Sequence, residues 1–135
     1  MSAGHEHSPA FLALVEAARR GVRTTTIPEY LARLERGERP LLVDVREDRE
    51  WDAGHVPGAV HLGKGIIERD IEKTVPDRAA PVVLYCGGGF RTVLVCENLQ
   101  RMGYVNCVSL DGGWREWNER GLPVELPATP APPVP

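Results

Sequence analysis

The chain has 135 residues, of which 42% are hydrophobic, and a formal net charge of −3 at neutral pH. This length is enough for one compact domain with its own core and leaves no room for a second. The slight negative charge gives no basic field for nucleic acid or an anionic membrane, and no apolar run approaches the ~20 residues of a membrane span, so neither is an expected partner.

The polar N-terminal tail, residues 1–7, contains His5 and His7 on either side of Glu6. Two histidines could touch a metal, but the tail offers no third ligand, so we predict a disordered end. The segment also lacks the basic start and apolar core of a signal peptide, which leads us to expect a cytoplasmic protein.

The cysteine pattern agrees with that location. Cys86, Cys96 and Cys107 are an odd number with no CxxC spacing, which argues against a disulfide framework and against a zinc site. Reduced thiols suit the cytosol. Cys96 falls on the apolar side of a predicted helix and Cys107 in a predicted strand, so we assign both to the core, and we expect neither metal nor cofactor.

The first elements carry clear start signals. Ser8 as an N-cap and Pro9 as the first helical residue predict a helix over residues 9–20. The β-branched residues 24–27 predict a short strand, and Pro28 predicts the start of a second helix.

Residues 41–45 form a continuous apolar run, typical of a buried strand, and charged residues follow at its end. Charges at the end of a buried strand need partners. We therefore predict that Asp44, Arg46 and Glu47 have a structural role near the candidate site at Cys86, where they would connect this strand end to neighbouring loops.

The next stretch is less regular. Residues 47–51 predict one or two helical turns, residues 54–58 a tight turn, residues 59–62 a strand and residues 66–73 a charged helix. His55 could act as a general base. A histidine beside a Pro-Gly turn more often fixes the turn by hydrogen bonding, so we predict that His55 has a structural role near the candidate site at Cys86.

The remaining elements continue the alternation of strands and helices. Residues 81–85 predict a strand, a helix ends at Gly103, residues 104–110 predict the last strand, and a further helix carries Trp114 and Trp117. Such alternation predicts an α/β fold with a parallel sheet covered on both faces and ligands bound beyond the carboxyl ends of the strands.

We also predict the limits of the domain. No repeat or internal boundary appears between residues 24 and 124. We therefore expect an N-terminal extension with one helix over residues 1–23, a single domain over residues 24–124, and a proline-rich tail over residues 125–135 that cannot build a core.

Cys86 stands between a predicted strand and a predicted helix, followed by Gly87, Gly88, Gly89, Phe90 and Arg91. Glycines without Cβ atoms allow the chain to take positive φ angles and to turn its amides around a small centre. Those amides, the helix N-terminus and the charge of Arg91 would stabilise an anion. A thiolate there could attack sulfur, phosphorus or arsenic, so we predict a catalytic cysteine rather than a buried, inert thiol.

Between residues 27 and 124 the chain resembles the rhodanese domain family at four separated places. The motif LLVDVRE (residues 41–47) is similar to the family's first signature strand, and EWDAGHVPGAVHL (residues 50–62) to its ExxxGHxPGA turn. The motif YCGGGFRT (residues 85–92) is similar to the active-site loop CxxGxR, and LDGGWREWNERGLPV (residues 110–124) to the closing LxGGxxxWxxxGxPV. The four motifs stand in the family's order.

The resemblance implies a rhodanese-like fold, with a five-stranded parallel sheet and helices on both sides. It implies a rhodanese-type (thiosulfate) sulfurtransferase, in which the nucleophile Cys86 takes a sulfane sulfur from a donor such as thiosulfate and holds it as a persulfide. The sulfur then passes to cyanide or a thiol, and the loop from Gly87 through Gly88, Gly89 and Phe90 to Arg91 would bind the substrate.

The loop differs from many thiosulfate-using members, which carry a basic side chain directly after the cysteine. Gly87 and Gly88 offer only backbone there and leave Arg91 as the loop's one cation. Arg91 could bind the donor's anion or brace the loop through an acidic partner such as Asp44 or Glu47. We expect it to bind the donor.

Two other functions stay open. Phosphatases and arsenate reductases of related fold resemble this loop but place five residues between cysteine and arginine, where this chain has four, and a tighter loop suits one sulfur atom better than a tetrahedral oxyanion. A non-enzymatic sulfur carrier or sensor would pass sulfur to a protein partner, with the first helix as a docking surface.

Overall fold

A computed structural model describes residues 7–127 of the chain. The strands in this part are β1 (Arg23–Thr25), β2 (Leu41–Asp44), β3 (Val60–His61), β4 (Val82–Tyr85) and β5 (Cys107–Leu110). The helices are α1 (Pro9–Arg19), α2 (Ile27–Glu35), α3 (Asp48–Asp52), α4 (Ile67–Thr74), α5 (Arg91–Arg101) and α6 (Gly113–Glu119).

The five strands form one parallel sheet in the order β1-β5-β4-β2-β3, which confirms the predicted fold class. Strand β4 is central and every one of its residues is buried. Leu84 aligns with Val43 on one side and with Ser109 on the other. A strand that is covered on both faces has apolar residues at every position, so β4 could be predicted from its unbroken apolar run.

Helices cover both faces of the sheet, as predicted. Buried side chains of α1, α4 and α5 share one core with Leu84, whereas those of α2 and α6 share a second core with Tyr85. Successive strand residues point to opposite faces, so adjacent positions of β4 enter different cores. Helix α1 packs against α5, the helix that follows the cysteine loop.

The predicted strand over residues 24–27 is too long at its end. Thr26 is instead the N-cap of α2, since its hydroxyl accepts a hydrogen bond from the backbone N–H of Glu29 at 3.2 Å. Ile27 is therefore the first helical residue rather than the last strand residue. A side-chain cap satisfies a backbone donor that a strand would have used in the sheet.

The last strand is also shorter than predicted. The backbone N–H of Tyr104 donates to the carbonyl of Leu99 at 3.0 Å, and that of Val105 donates to Arg78 at 3.1 Å. These donors bond to a helix end and a loop, so sheet pairing of β5 starts only at Cys107.

The predicted disordered end is covered only in part. Residues 1–6 of that segment lie outside the described residues, as do residues 128–135 of the predicted proline-rich tail. Glu125, the first residue of that tail, pairs with His55 through two backbone hydrogen bonds of 2.8 and 2.9 Å. Among the helices of residues 7–127, none has the length and apolar character to cross a bilayer.

Candidate active site

Cys86 follows the last residue of β4 and is only 1% exposed. The backbone N–H of Gly89 donates to its Sγ at 3.3 Å, so one loop amide does point at the sulfur. Gly89 has a φ of +94°, a value that favours glycine. Gly87 and Gly88 do not have positive φ, so only one of the three glycines is needed for its backbone angle.

A hydroxyl pair that the sequence did not predict lies beside the sulfur. Thr92 Oγ1 is 3.8 Å from Cys86 Sγ and 2.6 Å from Ser109 Oγ. Both hydroxyl residues are buried. Thr92 ends the motif YCGGGFRT, but nothing in the sequence showed that α5 would turn its hydroxyl towards the sulfur or that β5 would supply Ser109.

Arg91, the first residue of α5, is paired with Glu50 of α3. Its Nη1 is 3.1 Å from Oε1 and its Nη2 is 3.3 Å from Oε2. The acidic partner of Arg91 is therefore Glu50 rather than Asp44 or Glu47. Glu50 lies 41 positions away in sequence, and only the folding of α3 against the loop brings the two together.

Arg91 and Glu50 shift each other's pKa values towards the charged forms. Burial by itself would lower the pKa of Arg91, but hydrogen bonding to Glu50 and the nearby sulfur of Cys86 raise it. Burial is the largest single effect on Glu50 and would raise its pKa, but the hydrogen bonds from Arg91 and from the backbone of Glu47, together with the charges of Arg91 and Arg46, outweigh burial and lower the pKa. Both groups are therefore held in their charged forms.

The start of α6 braces the other side of the loop. The backbone N–H of Trp114 donates to the carbonyl of Cys86 at 2.8 Å, and that of Arg115 donates to Gly87 at 3.0 Å. Gly113 has a φ of +52°, and a Cβ at this position would overlap the carbonyl oxygen of Cys86. Gly113 of the motif LDGGW therefore allows a close approach of two backbones, a role that the sequence did not reveal.

The charges after β2 are satisfied inside the fold. Arg46 and Asp44 form a buried ion pair, with Nη2 and Oδ2 2.8 Å apart, and the same Nη2 donates to the carbonyl of Gly54 at 2.7 Å. Glu47 is the N-cap of α3, and its backbone N–H donates to Glu50 Oε1 at 3.1 Å. These contacts link the strand end to neighbouring segments, and the structural roles of the three residues stay predictions.

His55 is buried and stacked on the indole of Trp51, with 3.6 Å between the ring centroids. Its Nδ1 lies 3.0 Å from the carbonyl oxygen of Val56. His55 does not line the cavity that contains Cys86. This placement supports the structural role predicted for it.

The cysteine loop borders a cavity of about 540 Å³. Besides Cys86, Glu50 and loop residues, its lining includes side chains from two other parts of the chain: His7 and Phe11, and Trp114 and Arg115. His7 belongs to the predicted disordered end, but its ring lies 4.6 Å from that of Phe90.

The other two cysteines differ from Cys86 in their surroundings. Burial raises the pKa of Cys107 to about 11 and also raises that of Cys96. Both are therefore thiols near neutral pH, and neither lines the cavity of Cys86. This supports the prediction that they belong to the core.

Comparisons with known proteins place this geometry in context. The family model described as a rhodanese-like domain matches residues 26–120. A sulfurtransferase of Allochromatium vinosum is 36% identical over 95 residues, which cover 70% of this chain and 87% of that protein.

Two solved structures share the fold. The polysulfide-sulfur transferase homodimer of Wolinella succinogenes matches with a TM-score of 0.72 and 26% identity, covering 95% of this chain and 96% of that one. A thiosulfate sulfurtransferase of Pseudomonas aeruginosa matches with a TM-score of 0.75 and 25% identity, covering 89% of this chain and 23% of that one.

Proposed function

This chain belongs to the rhodanese-like domain family, and on that premise we propose that it is a sulfurtransferase in which Cys86 carries a sulfane sulfur as a persulfide. The observation that carries the proposal is the N–H of Gly89, aimed at Cys86 Sγ from 3.3 Å at the edge of an open cavity. An oriented amide in a largely buried site stabilises negative charge on sulfur.

In the loading step, the thiolate of Cys86 attacks the outer sulfur of a donor such as thiosulfate. The new bond joins Sγ to that sulfur, while the sulfur–sulfur bond of the donor breaks and sulfite leaves with the electron pair. The amide of Gly89 and the hydroxyl of Thr92 lie 3.3 and 3.8 Å from Sγ, where they would stabilise the thiolate before it attacks and again when Sγ becomes the leaving group.

In the unloading step, an acceptor such as cyanide or a thiolate attacks the terminal sulfur of the persulfide. The bond to Sγ breaks, and Cys86 leaves as the thiolate that begins the next cycle. Because Cys86 is 1% exposed, donor and acceptor both reach it through the cavity. We place this cycle in the cytoplasm, where low-molecular-weight thiols are available as acceptors.

A protein thiol could take the place of a small acceptor. A loaded protein that transfers sulfur far faster to a protein thiol than to cyanide would be acting as a carrier. Both routes use the same persulfide, so the first experiment addresses the persulfide itself.

Intact mass after incubation with thiosulfate should show the addition of one sulfur atom, which is lost again on addition of cyanide. The Cys86→Ser variant should gain none, because a hydroxyl cannot form a persulfide. Cys96→Ser and Cys107→Ser are matched controls that should load normally. Loading of the Cys86→Ser variant would refute the proposal. So would a failure of the unmodified protein to load sulfur from any sulfane donor.

A further inference from the structure

The wall of the catalytic cavity includes residues that precede the part of the chain matched by the family model. That match begins at residue 26, yet His7 and Phe11 line the cavity. The ring of His7 lies 5.0 Å from Phe11 and 4.6 Å from Phe90, and the rings of Phe11 and Phe90 are 6.4 Å apart. These centroid distances are typical of contacting aromatic rings.

Helix α1 holds the rings of His7, Phe11 and Phe90, which form an aromatic wall of the cavity, in place. Val15 and Ala18 of α1 are buried in the same core as Val93 and Cys96 of α5. Because α1 is packed against the helix that follows the cysteine loop, Phe11 is a fixed part of the cavity.

The cavity also contains a cation outside the cysteine loop. Arg115 of α6 lines it, and its Nη2 lies 3.9 Å from the position that a Cβ on Gly88 would occupy. Within residues 7–127, the guanidinium of Arg115 forms no ion pair and no hydrogen bond, whereas that of Arg91 is paired with the carboxylate of Glu50 through two of its N–H groups. All N–H donors of the Arg115 guanidinium are thus free for a ligand, and no carboxylate neutralises its charge.

The size of the cavity points to an organic ligand. A volume of about 540 Å³ lies within the range of about 300–1,000 Å³ that holds organic small molecules. Thiosulfate has only five heavy atoms and no apolar surface, so it would leave the rings of Phe11 and Phe90 without a contact.

We propose that this cavity selects an organic anionic sulfur donor, whose charged group is bound by Arg115 and whose apolar body lies against Phe11 and Phe90. The inference rests on the proposed sulfurtransferase function and names its substrate class. An organic thiosulfonate fits this description: its outer sulfur is transferred to Cys86 Sγ, its sulfur–sulfur bond breaks, and a sulfinate leaves with the electron pair.

Two probes separate the two parts of the proposal. Benzenethiosulfonate and methanethiosulfonate carry the same reacting group and the same charge, and differ only in the apolar body. The measurement is kcat/KM for each probe with cyanide as acceptor, together with single-turnover unloading of the preformed persulfide.

Arg115→Gln should lower kcat/KM about tenfold for both probes, mainly through KM, because it removes a charge-assisted hydrogen bond. Unloading to cyanide should stay within a factor of two. Phe11→Ala should lower the ratio of kcat/KM for the benzene probe over the methane probe about five- to tenfold, because only the benzene ring uses the aromatic wall.

The controls keep a loss of folding apart from a loss of binding. Arg101→Gln changes an exposed arginine on α5, and Leu14→Ala changes an exposed side chain of α1, so neither should alter the rates or the ratio. The ratio for Phe11→Ala is taken within one preparation, so it does not depend on the fraction folded. Phe11→Leu, which keeps an apolar side chain, should restore part of the ratio.

An unchanged KM in Arg115→Gln, or an unchanged ratio in Phe11→Ala, would overturn the inference while leaving the sulfurtransferase function standing. Absence of a persulfide with both probes in the unmodified protein would overturn both. A normal ratio in Phe11→Ala with equal loss for both probes would show that Phe11 only supports the fold.

Discussion

Arg91 and Glu50 join the cysteine loop to α3 through two parallel contacts, of 3.1 Å between Nη1 and Oε1 and 3.3 Å between Nη2 and Oε2. A two-point pair fixes the plane of the guanidinium as well as its position. The sequence had suggested that Arg91 binds the donor. The geometry favours the other role considered for it, that of a brace, with Glu50 as the partner.

Glu50→Gln should therefore slow sulfur loading and unloading together, by a similar factor of about three to ten, because the loop that holds the sulfur loses its orientation in both steps. Single-turnover loading and cyanide unloading measure the two steps. Glu119→Gln, an exposed carboxylate on α6, is the matched control. Loss confined to loading would instead assign Arg91 to donor binding.

The same pair predicts a pH effect. The folded pKa of Glu50 is lower than its unfolded value, so its contribution to stability is present above the unfolded pKa and is lost as the pH falls through the folded pKa. As the pH falls below about 4.5, the unmodified protein should lose more of its unfolding free energy than Glu50→Gln does. Equal acid sensitivity would contradict a charged pair in the folded state.

Gly113→Ala should disrupt the site by a route that involves no reacting group. The added Cβ would overlap the carbonyl oxygen of Cys86 and lie 3.1 Å from that of Gly87, so the start of α6 or the loop must move. We expect a stability loss of about 1–3 kcal/mol and a loss of sulfur loading larger than that alone explains. Gly21→Ala, with open space around it and no positive φ, is the control in thermal unfolding and loading assays.

Thr92→Val should separate the hydroxyl's effect on sulfur from its effect on folding. The variant leaves Ser109 Oγ buried without its partner, at a cost of about 1–3 kcal/mol. Changing both residues, in Thr92→Val with Ser109→Ala, should recover much of that stability and still load sulfur about tenfold more slowly, because no hydroxyl then faces Sγ. A stable double variant that loads at the normal rate would show that the pair is only structural.

The three cysteines should react with iodoacetamide at very different rates. With a pKa of about 11, Cys107 has a thiolate fraction of about one in a thousand at pH 8, and burial disfavours the Cys96 thiolate as well. Peptide mapping of the folded protein at pH 8 should therefore find the label on Cys86 first. Labelling in guanidinium should reach all three, and equal rates in the folded state would contradict the assignment.

The sequence by itself determined the local features of this protein. The unbroken apolar run of β4 and the start signals Ser8 and Pro9 are short-range patterns, and each produced the predicted element within a few residues. Of the glycines after Cys86, Gly89 has the positive φ that the sequence suggested. Backbone preference and side-chain periodicity act over one or two turns, so they can be read without knowing what lies opposite. Even the cysteine's place at a strand end followed from its neighbours alone.

Only the tertiary structure decided what surrounds the sulfur. Glu50 reaches Arg91 across 41 positions, Ser109 reaches Thr92 across 17, and Phe11 meets Phe90 because α1 packs on α5. No short pattern encodes such pairs, because many acids, hydroxyls and aromatic rings in the chain would have served equally well. Which of them meet depends on the order of the strands and the faces to which the helices pack, and those are properties of the whole chain.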